Sequence, residues 1–342
     1  NIVPSWYSDN SFSLSTSFVA DDFYGMIDDN EGTMTSSNRS DIAIGRILAD
    51  TPQRGEEMVD KIESYYIKEA FGSWRNNFVV VSDDNDSKLK GELQSTTNDI
   101  GDLVSQEKPF MNVIKIHSDA FQQESSAGGD RYPSVTNEIV SAMDNGALVV
   151  NYFGHGGEEG LAQERILLKT DITELRNFCK LNCFVTVTCE FTRFDNPFRE
   201  TAGEFTFWNK ETGAVGLITT TRQVFVNFGI TFNKELGQYL FSYSDDDSYG
   251  DNEYPSIAEA LRLAKNDPLI SGNSQKNLVF FIGDPAMKLA FAKPNIRLTE
   301  INDTPIATAT DTLKALSYVK LAGEVTDESG NLLSNYNGTL ST

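Results

Sequence analysis

The sequence predicts an α/β fold, a largely parallel sheet flanked by helices, followed by the start of a β-sandwich. Five apolar runs support the first part: FVVVS (78–82), NVIKIH (112–117), ALVVNYF (147–153), NCFVTVT (182–188) and GAVGLIT (213–219). They are rich in Val and Ile with little polar alternation, as strands covered on both faces are. Amphipathic stretches separate them, a pattern of stacked βαβ units. The second part rests on a change of texture after Lys293. IRLTEIND and TLKALSYVKLAGEVTD read as short alternating strands, with Gly and Asn turns in ESGNLLSNYNG.

Taken in order, DIAIGRI (41–47) alternates like a short strand, and RGEEMVDKIESYYIKEAF (54–71) has apolar residues at roughly helical spacing. In PSVTNEIVSAMDNG, Val135, Ile139, Val140 and Met143 share one helical face. Another helix starts at Pro255, and FFIGDP (280–285) reads as a closing strand and turn. The expected organisation is an N-terminal α/β subdomain over 1–75, a catalytic subdomain over 76–292 and an Ig-like sandwich segment over 293–342. The acidic stretch SYSDDDSYGDNEY (242–254) is expected to be an exposed loop.

A chain of 342 residues suits two or three domains. Its net charge of −22 opposes phosphate backbones, so nucleic acid is excluded as a partner. No run of about 18 apolar residues is present to span a bilayer as a helix. The chain opens NIVPSWYSDN without a basic segment leading into an apolar one, so no signal peptide is expected within it. Three cysteines, Cys179, Cys183 and Cys189, argue against a disulfide framework, and their spacing lacks the paired CxxC of zinc sites.

Ligands of open parallel sheets bind beyond the carboxyl ends of the strands. Asp83, His117, His155 and Cys189 all fall just past apolar runs. His155 sits in GHGG, where glycines free the backbone and bare the amide of Gly156 as an oxyanion donor. Taken alone, such a stretch also reads as a tight turn with a solvated histidine. Cys189 is followed at once by polar residues, which marks a strand emerging from the core. A thiol there can lose its proton to an imidazole and attack a carbonyl. Cys179, in a helical NFCKL, and Cys183, inside a strand, read as small buried hydrophobes. VVSDDND offers Asp83, Asp84 and Asp86 to orient the base, Asp83 lying nearest the strand end, although an acidic turn is the plainer reading. His117, with no glycine beside it, reads as structural.

NYFGHGG, TVTCEF and FFIGDPAMKL, in that order, resemble the gingipain-type cysteine peptidases, which have caspase-like folds. FVADDFYGMIDDNEG, DIAIGRI, TCEFTRFDNP and the C-terminal DTLKALSYVKLAGEVTDESGNLLSNYNG are similar to one branch, the sortases of the type IX secretion system of Bacteroidota. The resemblance implies Cys189 as nucleophile, His155 as base, Asp83 (or Asp84, one position on) as the histidine's acidic partner and the Gly156 amide as oxyanion donor. It implies removal of C-terminal targeting domains from secreted cargo through a thioester, with transfer to an amine of anionic lipopolysaccharide or to water. The expected setting is the outer-membrane surface of a Gram-negative cell, among other components of that secretion system. No cofactor is implied for catalysis. Structural calcium is implied, for which the acidic loops offer oxygens without EF-hand spacing. Gingipains prefer Arg or Lys before the scissile bond through an acidic pocket residue, which no position of this sequence identifies. A different class of reading, a surface scaffold or binding module on a peptidase-like fold, predicts three equally reactive thiols.

Overall fold

The structure is a computed structural model that describes residues 3–9, 17–85, 89–242, 253–292, 295–310, 314–327 and 330–337. Asp86 and residues 243–252 of the acidic stretch lie outside the described residues. The chain divides into two compact units, Asn1–Ala290 and Phe291–Thr342.

Six strands form the central sheet of the first unit: β1 (Asn77–Ser82), β2 (Asn112–His117), β3 (Val149–Phe153), β4 (Asn182–Val187), β5 (Ala214–Thr220) and β6 (Val279–Ile282). Their order is β6-β5-β4-β3-β1-β2. All pairs are parallel except β5 with β6, which is antiparallel. The five apolar runs therefore mark five parallel strands, and FFIGDP marks the antiparallel edge.

The two-residue period of the strands sorts their side chains onto two helical layers. Val79, Val81, Val150, Tyr152 and Phe184 share a core with Met58, Val135, Ile139, Met143, Ile172 and Phe207. Those partners come from α1 (Pro52–Ser64), α3 (Pro133–Asn145), α4 (Lys169–Thr173) and α5 (Ala202–Trp208). The opposite face meets α2 (Glu92–Glu107) and α6 (Val226–Phe241), against which α7 (Ile257–Asn266) packs. There Phe78 meets Phe241 with ring centroids 4.9 Å apart. Gly229 of α6 lies so close to Phe153 and Val187 that a Cβ would come within 2.6 Å of the Phe153 ring.

Local chemistry sets the helix ends. Thr51 caps α1 through the amide of Arg54, with Pro52 at the first turn. The helix stops at Ser64 rather than Phe71, because Tyr65 turns fully into the core and its hydroxyl accepts from the Ala290 amide. DIAIGRI forms no strand. Only Arg46 bridges to the edge of β6, through its amide to Phe281 and its carbonyl to the Gly283 amide. Cys179 lies in a turn with φ of +56°, not in a helix, whereas Cys183 is buried in β4 and its thiol is pushed up to about 12 by burial.

The second unit holds a three-stranded antiparallel sheet. Its strands are β7 (Asn295–Ile301), β8 (Thr304–Pro305) and β9 (Leu321–Thr326), with β7 in the middle.

One buried polar contact ties β3 to α6. Asn151 and Asn233, 3% and 0% exposed, exchange amide hydrogen bonds of 2.7 and 3.1 Å. Asn233→Ala strands the Asn151 amide and should cost about 1–3 kcal/mol in urea unfolding. The double variant Asn151→Ala/Asn233→Ala should cost less than the sum of the two single changes. Additive losses would show that the pair does not act as a unit.

Candidate active site

Three parallel strands end level with one another. Phe153 of β3 pairs with Ser82 of β1 on one side and Val187 of β4 on the other. Asp83, Gly154 and Thr188 follow together, and Asp84, His155 and Cys189 come next along each chain. Glycine lets these ends approach. A Cβ at Gly154 would sit 2.3 Å from the Asp83 Cβ, and one at Gly156 would sit 2.5 Å from Thr188 Oγ1. Only a bare backbone fits at either position.

His155 and Cys189 line one cavity of about 160 Å³. His155 Nε2 is buried and has no hydrogen-bond partner among the described residues. The Cys189 thiol donates to the Val224 carbonyl at 3.9 Å. Burial pushes that thiol above its ordinary value; the Val224 contact opposes the rise and the Glu190 charge adds to it. A protonated thiol and an unpartnered imidazole nitrogen therefore line the same cavity.

The chain turns sharply after the cysteine. Glu190 takes φ of +54°, a left-handed conformation uncommon for a residue with a side chain. The turn is held on both sides. The Thr220 hydroxyl donates to the Thr188 carbonyl, and the Glu190 amide donates to the Arg222 carbonyl at 3.3 Å. Arg222 also grips Asp195 with two hydrogen bonds of 2.8 and 2.6 Å, both side chains less than a tenth exposed.

Asp83 is 1% exposed. Its Oδ2 accepts from the main-chain amide of His155 and its Oδ1 from that of Asp84, each at 2.9 Å. These bonds hold the loop that carries the imidazole by its backbone rather than by its ring. Burial lifts the Asp83 carboxyl to about 6, against the pull of the two amides and of His155. Asp84 accepts from the Tyr132 hydroxyl at 3.1 Å. The Tyr152 hydroxyl donates to the His155 carbonyl at 2.5 Å, a clamp that nothing in the sequence distinguishes from ordinary core packing.

Gly156 and Gly157 pair antiparallel with Leu161 and Gly160. The Ala162 amide donates to the His155 carbonyl at 2.8 Å, so His155 and Ala162 form a hydrogen-bonded pair. Antiparallel ladders alternate, which makes Gly156 and Leu161 the next, non-bonded pair. The Gly156 amide is thus turned away from that ladder and left for another acceptor. His117 belongs elsewhere: its Nδ1 meets the Ser82 hydroxyl at 2.7 Å and its Nε2 meets Asn98 at 3.2 Å.

A second opening of about 500 Å³ borders Gly156, Glu158, Glu159 and Glu190. Its carboxylates are already paired. Glu158 and Glu190 share Arg193 at 3.4 and 2.9 Å, and Glu159 meets Lys169 at 2.9 Å. Carboxylate oxygens also gather within 4.8 Å at Asp28, Glu31 and Asp41 and at Asp83, Asp84 and Glu164, donor sets of the type that calcium takes. No helix among the described residues is long and apolar enough to cross a membrane.

A mostly parallel sheet with helices on both faces thus places His155 and Cys189 just past its carboxyl edge, in the wall of one cavity. The chain belongs to peptidase family C25, whose sequence profile matches residues 1–290. Its fold is gingipain-like. The crystal structure of the Arg-specific cysteine proteinase gingipain R superposes with a TM-score of 0.62 at 16% identity, covering 82% of this chain and 62% of that one. The complex of pro- and mature domains of RgpB from Porphyromonas gingivalis gives a TM-score of 0.60 at 17% identity, over 82% and 64% of the two chains. Dimeric latent PorU from Porphyromonas gingivalis is 20% identical over 98% of this chain and 25% of that one, with a TM-score of 0.41. The chain thus spans less than two thirds of the gingipain structures it matches. No curated protein sequence matches it.

Asp83 makes the stability of this edge depend on pH. A carboxyl whose folded pKa is raised favours the fold most when protonated, so its contribution falls as pH rises from about 4 to about 6 and is flat above. Relative to Asp83→Asn, the wild type should lose up to about 3 kcal/mol of unfolding free energy between pH 4 and pH 7. Urea titrations across that range read the difference, and a pH-independent difference would contradict the raised value.

Proposed function

We propose that this chain carries the catalytic centre of a cysteine peptidase that also acts as a transpeptidase. The observation that carries the reading is the free, buried Nε2 of His155 sharing one cavity with the Cys189 thiol. Membership of peptidase family C25 supports it.

In this reading His155 Nε2 takes the thiol proton and Sγ attacks the peptide carbonyl carbon. The Gly156 amide, with that of Cys189, stabilises the oxyanion. As the C–N bond breaks, the same imidazole proton passes to the leaving amine. A thioester on Cys189 remains, and water or an incoming amine attacks it to release acid or new amide, returning the proton to sulfur through His155. Asp83 keeps the imidazole in place by holding the His155 amide. Because burial keeps Cys189 protonated at rest, the base is required rather than accessory.

The wider assignment follows the sequence resemblance. The cargo is a secreted protein with a C-terminal targeting domain. The acceptor is an amine of anionic lipopolysaccharide, and the setting is the outer-membrane surface beside other type IX secretion components. Structural calcium at the Asp28, Glu31 and Asp41 oxygens belongs to the same proposal. The competing reading, a non-catalytic surface scaffold, is consistent with the resting thiol but leaves the buried, unpartnered Nε2 without a purpose.

Cys189→Ala should lower peptide cleavage by at least about 1,000-fold, while Cys179→Ala and Cys183→Ala leave it within a few-fold. Cleavage of a cargo-derived peptide with and without an added primary amine, followed by mass spectrometry, separates transfer from hydrolysis. Full activity in Cys189→Ala, or equal alkylation of all three thiols, would refute the peptidase reading. An unchanged product with added amine would refute only the transfer step.

A further inference from the structure

The side chain preceding the scissile bond hangs from the carbon next to the attacked carbonyl, so a pocket that holds it borders Cys189. The 160 Å³ cavity has both Cys189 and His155 in its wall. Its walls come from three elements that sequence order keeps apart. Leu89 and Leu93 lie at the start of α2, Phe153 and Val187 at the ends of β3 and β4, and Val224 and Val226 around the start of α6. No carboxylate lines it among the described residues. The neighbouring opening beside Gly156 has acidic residues, yet Glu158, Glu159 and Glu190 are each paired with an arginine or lysine of this chain.

We propose that the acyl side chain this site accepts is apolar and of leucine or phenylalanine size, and that arginine and lysine are rejected. This rests on the peptidase reading above. Size agrees: an apolar cavity of about 150 Å³ takes a benzene ring. Charge agrees as well. A guanidinium or ammonium in this cavity would lose its water and meet no counter-charge among the described lining residues, whereas an apolar group loses nothing it needs.

Peptidyl chloromethyl ketones that differ only in the residue next to the warhead test this, with iodoacetamide as a control for thiol access. Rates of Cys189 labelling in the full chain are read by mass spectrometry. Leu and Phe probes should react at least about 100-fold faster than Arg and Lys probes. Val226→Glu places a carboxylate on the cavity wall at the first, partly exposed position of α6, where an acidic residue suits the helix. It should raise the Arg rate about 10-fold or more and lower the Leu rate. Arg or Lys probes matching Leu in the unchanged protein would overturn the specificity and leave the peptidase reading standing. Labelling by iodoacetamide but by no peptidyl probe would overturn both.

Discussion

Ser82, Phe153 and Val187 occupy one level of the central sheet, and everything at the candidate site inherits its position from that alignment. Parallel strands in register end together, so the residues that follow them must share a small volume. A slip of one residue in any of the three would turn its side chains to the other face. Asp83 would then lose the His155 amide, and Thr188 would leave the surface of Gly156. The register is secured on both faces by large apolar side chains, with Val150 and Tyr152 on one core and Phe153 against Gly229 on the other.

The polar groups at this edge are costly to bury, and several are answered in pairs. Asp83 accepts two amides, Asp195 and Arg222 form a two-bond pair, and the Thr220 hydroxyl closes onto the Thr188 carbonyl. Among the described residues His155 Nε2 and Thr188 Oγ1 are buried at this edge without a partner, as are Thr221 Oγ1, Arg193 Nε and Gln94 Oε1. The first two lie where the strands end. Of these only His155 Nε2 belongs to a group that can take and return a proton near neutral pH.

Net charge says little about the site. The chain carries −22, yet most of the wall around Cys189 is apolar, and Glu158, Glu159 and Glu190 around Gly156 face Arg193, Arg199 and Lys169. The excess negative charge lies elsewhere, so the field at this edge is set locally by the few groups that face it.

Much of this was legible in the residues alone. The Val- and Ile-rich runs identify five parallel strands because only a sheet covered on both faces tolerates such runs. The carboxyl-end rule then picks out Asp83, His117, His155 and Cys189, of which the structure ties His117 to Ser82 and Asn98, and GHGG marks a backbone under close approach. DIAIGRI misled because alternation signals a strand only where a partner edge extends along it, and here Arg46 alone meets β6. NFCKL misled because a helical spacing of five residues is too short to outweigh a turn. Tertiary structure alone decided that Asp83 grips His155 by its main chain, that Val224 receives the thiol, and that Leu89, Leu93 and Val226 wall the cavity. Those contacts join residues tens of positions apart across strands whose lateral order no linear pattern encodes. Sequence periodicity reports which face a side chain takes, while neighbours across the sheet are chosen only when the strands pack.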